Sequence, residues 1–115
     1  LMPIYTKNYT EEEIAGLTPA EEPDLTAYEW LRLDSVGASN FVVFDGETMR
    51  NATDPSDPYP GFYTISGNEI YIEYDVMGGL QSHFGMYWDN GRLVFWPADE
   101  NDHKEERQMV YEPME

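Results

Sequence analysis

The chain has 115 residues, 23 of them acidic and six basic, for a formal net charge of −17, and it contains no cysteine. That length suits one domain with a single hydrophobic core, and 41% hydrophobic with 15% aromatic content excludes intrinsic disorder in spite of the charge. Disulfides and thiolate metal sites are excluded, and phosphate backbones or anionic lipid repel a polyanion, which disfavours direct nucleic-acid or membrane-surface binding.

The charge is uneven: residues 1–29 carry −6, 51–79 carry −5 and 99–115 carry −5, whereas 30–50 carry −1 and 80–98 are neutral. No run of 18 apolar residues exists, so no transmembrane segment is expected, and the first residues lack the basic and apolar regions of a signal peptide. Thr10, followed by three glutamates ending at Glu13, has the form of a capping box ahead of Ile14 and Leu17. Gly16 and Pro19 limit this helix to about two turns. A second helix start at Thr18, with Pro19 in the first helical position, is ended by Pro23. Residues 1–24 thus read as an acidic N-terminal extension with a short helix, and 25–115 as the β domain.

Alternation over 28–36 predicts a first strand, with helical content near 25–30 as the alternative. Gly37 and Ala38 turn the chain, and the run 39–44 meets Asp45 and Gly46, a favoured two-residue turn that returns through 47–50. Three prolines and two aspartates make 51–60 a surface loop. Two similar hairpins follow, 61–75 around Gly67 and Asn68 and 85–99 around Asn90 and Gly91, joined through Met77, Gly78 and Gly79. The strand entering the second hairpin begins at Leu80. A charged loop covers 99–106, and 107–111 is a last strand that Pro113 would stop. The result is an antiparallel meander of seven or eight strands, mainly β.

Two-residue turns set register, so the faces of both hairpins can be derived. Tyr63, Ile65, Ile70, Ile72 and Tyr74 share one face of the first; Phe84, Met86, Trp88, Leu93 and Phe95 share one face of the second. These are the predicted core. The opposite face carries Phe62, Thr64, Tyr71 and Glu73, then Gly85, Tyr87, Val94 and Trp96. A solvated sheet face is normally more polar than this. Either the N-terminal helix covers it with Ile14 and Leu17, or it is left for a partner or ligand, with Phe62, Tyr71, Tyr87 and Trp96 as candidate binding residues.

Catalytic and metal signatures are weak. His103 lies in an acidic run and Asp54 and Asp57 lie in a proline-rich one, but neither stretch has the glycine and glutamate positions of an EF-hand loop, and acidic runs are usually solvated. His83 shares the second face with Tyr87, while its neighbour Ser82 points to the other face and cannot serve as its partner. No dinucleotide-binding, phosphate-loop, zinc-protease or nucleophile-elbow motif is present. No catalytic residue, metal ligand or cofactor is assigned.

The stretch from Leu25 through Trp30, the pattern Gly61, Tyr63, Ile65, Gly67, Asn68, Ile70, Ile72, and the ending Met109, Val110, Tyr111 together resemble small bacterial lipocalin-like domains of secreted or lipid-anchored proteins, over about three-quarters of the chain. Such domains usually open their first strand with Gly-x-Trp, where this chain has Tyr28, Glu29 and Trp30. The resemblance implies an up-and-down sheet curled into a partial or closed barrel, exported and tethered near the cell envelope, a lipid anchor on the parent chain being compatible with that. It carries over no catalytic residue.

The function expected is therefore a non-enzymatic binding module of a bacterial exported or cell-surface protein, using the aromatic face or a small barrel pocket. Its partner would be an unidentified protein or small hydrophobic ligand. Side chains as bulky as Trp88, Tyr74 and Phe95 favour a filled interior over an open one. One alternative is an acidic inhibitor or immunity-type protein occupying a basic site on a nucleic-acid enzyme; a phosphate mimic of that kind needs acids arrayed over a folded surface, whereas much of this charge lies towards the ends of the chain. A small barrel hydrolase or lyase is the weakest alternative, because no nucleophile, base and orienter can be named together.

Overall fold

A computed structural model describes residues 6–36, 38, 40–52, 61–74, 80–99 and 103–114. The turn at Gly37, most of the 51–60 loop with Asp54 and Asp57, the connection through Met77, Gly78 and Gly79, and residues 100–102 of the charged loop lie outside the described residues.

The short helix α1 (Glu11–Ala15) has the capping box expected of it: Thr10 Oγ1 accepts from the Glu13 amide at 3.2 Å, and Glu13 Oε1 accepts from the Thr10 amide at 3.1 Å. The second helix start is not used. Thr18–Pro19 is instead strand β1, paired with Trp88 and Tyr87, because an extended backbone here lets Ala20 N donate to Met86 O at 2.9 Å and Glu22 N to Gly67 O at 2.8 Å. A two-turn helix would offer the sheet no such donors. The extension is therefore knitted to the β domain, and Ala20 is fully buried within it.

A single 3-10 turn, Leu25–Ala27, capped by Asp24, leads into β2 (Glu29–Arg32). Strands β3 (Phe41–Phe44), β4 (Thr48–Asn51), β5 (Gly61–Ser66), β6 (Glu69–Tyr74), β7 (Leu80–Asp89), β8 (Arg92–Pro97) and β9 (Met109–Met114) follow. Each pairs antiparallel with the next in sequence, and β9 returns to pair with β2, closing an eight-stranded up-and-down barrel with β1 as an extra strand on β7. Closure removes the sheet edges that would otherwise invite pairing. The ten-residue β7 holds the closure together: β6 and then β1 occupy one edge of it, and β8 the other.

The two hairpin registers are those derived from the turns, with Ile65 opposite Ile70, Tyr63 opposite Ile72, Trp88 opposite Leu93 and Met86 opposite Phe95. Asn90 and Gly91 both have positive φ, at 48° and 85°, as a type I′ turn requires. The Asp45 hairpin differs. Phe44 pairs with Met49, leaving four residues in the loop and not two. A type I′ turn needs positive φ at both central residues, and only Gly46 has it. The Asp45 carboxylate instead organises the loop, accepting from Thr48 N at 2.6 Å, Thr48 Oγ1 at 2.7 Å and Glu47 N at 2.9 Å. Those bonds, led by the one from the Thr48 amide, hold its pKa down at about 2.

Two further expectations change near the C-terminus. Part of the charged loop is helical, α2 (Lys104–Arg107), and the last strand runs on to Met114, with Pro113 paired opposite Trp30. Pro113 is tolerated because it lies near the end of its strand, where one missing ladder donor interrupts little.

All ten predicted core residues join one interior cluster, with Ile65, Tyr74 and Trp88 at its partly buried margin. Ala20, Leu25, Trp30, Val42, Phe44, Met49, Met109 and Tyr111 complete it. Phe44, Phe95 and Tyr111 meet edge to face, at centroid separations of 5.0 to 6.2 Å, so rings fill the barrel from within. Gly61 leaves no room for a side chain: a Cβ there would meet Ile72 Cγ2 at 2.9 Å and Met49 Cγ at 3.0 Å. Among the described residues no helix is long and apolar enough to cross a membrane.

Candidate functional site

Outside the barrel, α1 and the residues before it cover one part of the aromatic face. Tyr9, Ile14, Val94, Trp96, Leu33 and Val110 form a second buried cluster, with Leu17, Leu31 and Tyr87 packed against it. Gln108 clamps the covering segment from below. Its Oε1 accepts from Tyr9 N at 2.7 Å, and its Nε2 donates to Tyr9 O at 2.8 Å and to Glu105 O at 2.8 Å, so the buried amide satisfies three backbone groups. The Tyr9 hydroxyl donates to Asp89 Oδ2.

Burial, reinforced by the Asp89 bond and charge, pushes Tyr9 up to about 12 from an ordinary 10.0. A raised pKa means that the folded state holds the proton more tightly than the unfolded one. Its contribution is fully present below pH 10 and is lost as pH climbs towards 12. Urea denaturation at stepped alkaline pH should show the wild type losing stability across that window more steeply than Tyr9→Phe, which keeps the ring and cannot ionise.

The four candidate binding residues therefore separate. Trp96 is only 6% exposed, and Tyr87 is half-buried with its ring over Gly85, where a Cβ would meet Tyr87 Cε2 at 3.1 Å. Phe62 and Tyr71 remain 49% and 45% exposed.

The exposed pair stands on a regular outer face built by β5, β6 and β7. Its cross-strand rows are Phe62, Glu73 and Gln81, then Thr64, Tyr71 and His83, then Ser66, Glu69 and Gly85. Tyr71 and His83 lie directly opposite each other and stack at 4.2 Å with an interplanar angle of 11°. His83 Nε2 is also 3.0 Å from Glu69 Oε1, the diagonal neighbour. The first two rows line a cleft of about 720 Å³, which Asp99 and Arg107 of α2 also line. Both Asp99 and Arg107 are engaged in interactions of their own.

Sequence reasoning missed Gln81, Asp99 and Arg107 as part of this site, and it placed His83 correctly on the face without its two partners. The Tyr71 and His83 pairing depends on the register between β6 and β7, which no two-residue turn sets. Ser82 faces the other way, opposite Ile72, as alternation requires. No group of three or more potential metal ligands occurs among the described residues.

No protein-family model matches the chain, and neither a curated protein nor a solved structure does.

Proposed function

We propose that this protein is a non-enzymatic binding module and that the cleft over β5, β6 and β7 receives its partner. The supporting observation is the contrast along one aromatic face. Where α1 is available the face is covered, and where it is not, Phe62 and Tyr71 stay half-exposed in a cleft of about 720 Å³. Aromatic anchors in concave sites are the usual carriers of binding energy. A filled barrel argues against an enclosed lipid-like ligand, and closure leaves the outer surface for recognition. On the resemblance to bacterial lipocalin-like domains, such a module would act outside the cell or on its surface.

The test compares wild type with Phe62→Ala/Tyr71→Ala in quantitative capture from extracts of the host. Both residues lie on the surface, so the variant should fold. A partner bound through the cleft should lose about tenfold or more in affinity. Undiminished capture by the folded variant would reject the cleft as the binding site.

A second reading, the acidic inhibitor, gains from the docking of both helices. Glu11 and Glu12 of α1 and Glu105 and Glu106 of α2 outnumber Lys104 around one depression of about 560 Å³ beside Trp96 and His103. Acids from opposite ends of the chain are thereby arrayed over a folded surface, as a phosphate mimic needs. This reading requires binding that falls steeply with salt and is insensitive to Phe62→Ala/Tyr71→Ala.

A further inference from the structure

Resting on the cleft as the binding site, we propose that its occupant is an arginine side chain presented by a basic segment of a partner protein. The groups in the cleft whose side chains have no partner among the described residues specify this chemistry. Glu73 is exposed and has no hydrogen-bond or ion-pair partner among the described residues, whereas Glu69 is taken by His83, and Asp99 and Arg107 are already engaged. Beside Glu73 in the same row stand Phe62 and Gln81, an exposed ring and an exposed amide.

Tyr71 stands between Thr64 on β5 and His83 on β7, and its ring is stacked on His83. The other ring face is therefore turned to the β5 side, where Thr64 is small and the next row holds Phe62 and Glu73. An aromatic face next to an unpaired carboxylate matches a planar cation that can stack and donate two parallel N–H bonds at once. Guanidinium meets both demands. A lysine ammonium is a compact, strongly hydrated point charge that meets only the electrostatic one. A net charge of −17 would steer a basic segment towards this surface, and Gln81 offers an acceptor to the same donors.

The experiment titrates the protein with three capped tripeptides, Gly-Arg-Gly, Gly-Lys-Gly and the citrulline analogue of the first, and follows backbone amide resonances. The arginine peptide should shift residues 62, 64, 71, 73 and 81 saturably. The citrulline peptide, equal in shape but uncharged, should bind about tenfold more weakly or not at all, with lysine between them. Glu73→Gln should reduce arginine affinity about tenfold while leaving the unfolding midpoint unchanged. Equal binding of the arginine and citrulline peptides would overturn the guanidinium assignment and leave the cleft as a site for a neutral ligand, and unaltered affinity in Glu73→Gln would overturn the pairing with Glu73 on which the assignment rests. If no peptide moves these resonances the assignment also fails, and the capture comparison with Phe62→Ala/Tyr71→Ala decides separately whether the cleft binds anything else.

Discussion

Replacing Trp30 with alanine is expected to destabilise the protein by about 3–5 kcal/mol, the usual range for deleting a large buried aromatic. Trp30 is 1% exposed, lies in the interior cluster, and packs edge to face with Tyr28 at 5.8 Å. Its indole Nε1 also donates to Leu25 O at 2.9 Å, tying the 3-10 turn to the start of the barrel. Phenylalanine at this position should refill part of the volume but leave the Leu25 carbonyl unpaired, for a smaller loss of roughly 1–3 kcal/mol. Whole domains hold only about 5–15 kcal/mol of stability, so the alanine variant should unfold at much lower urea concentration and could be unfolded at ambient temperature. Equilibrium denaturation of the two variants beside wild type checks the order. A loss under 1 kcal/mol for Trp30→Ala would contradict the placement of this ring in the barrel's interior cluster.

Asp34→Ala is expected to cost a similar amount, about 3–5 kcal/mol, through charge and not volume. Asp34 is 1% exposed, and its carboxylate receives a two-pronged bond from Arg32, with Nη2 to Oδ2 at 2.6 Å and Nε to Oδ1 at 3.1 Å. Oδ1 further accepts from Val110 N at 3.0 Å, in the strand that closes the barrel on β2. Deleting the carboxylate strands a largely buried guanidinium and orphans a buried amide, both of which are costly. Removing the cation as well, in Arg32→Met/Asp34→Ala, should recover much of the loss, because a buried ion pair is strong mainly against the removal of one partner. A double-mutant cycle in urea measures the coupling. Additive losses would show that the pair does not act as a unit in closing the barrel.

These two sites show where local pattern stops being informative. Trp30 lies in a strand whose alternation is visible and Asp34 follows it, yet nothing near Asp34 in sequence specifies Val110 as its neighbour 76 positions away. By contrast the faces of β5 to β8 were legible residue by residue, since two-residue turns at Gly67 and Asn90 leave one register and strand alternation does the rest. The same rule misled at Asp45, where a side chain that bonds its own loop outweighs the Asp-Gly preference. At Thr18 the helix-start signal was local and real, but two residues of sheet pairing and the burial of Ala20 outweigh a two-turn helix that could bury almost nothing.

The candidate site divides along the same line. That Phe62, Tyr71, Tyr87 and Trp96 share a face follows from turn chemistry and strand alternation, and the capping box at Thr10 and Glu13 announces a helix with Ile14 and Leu17 to offer. Which half of the face that helix covers depended on contacts between distant parts of the chain. Gln108 grips Tyr9 across 99 positions, and Tyr9 reaches Asp89 across 80. Alternation and turn chemistry act over a few residues and set which way side chains point. Burial is decided by closure of the barrel and docking of its N-terminus, which hide Trp96 and leave Phe62 and Tyr71 in the open.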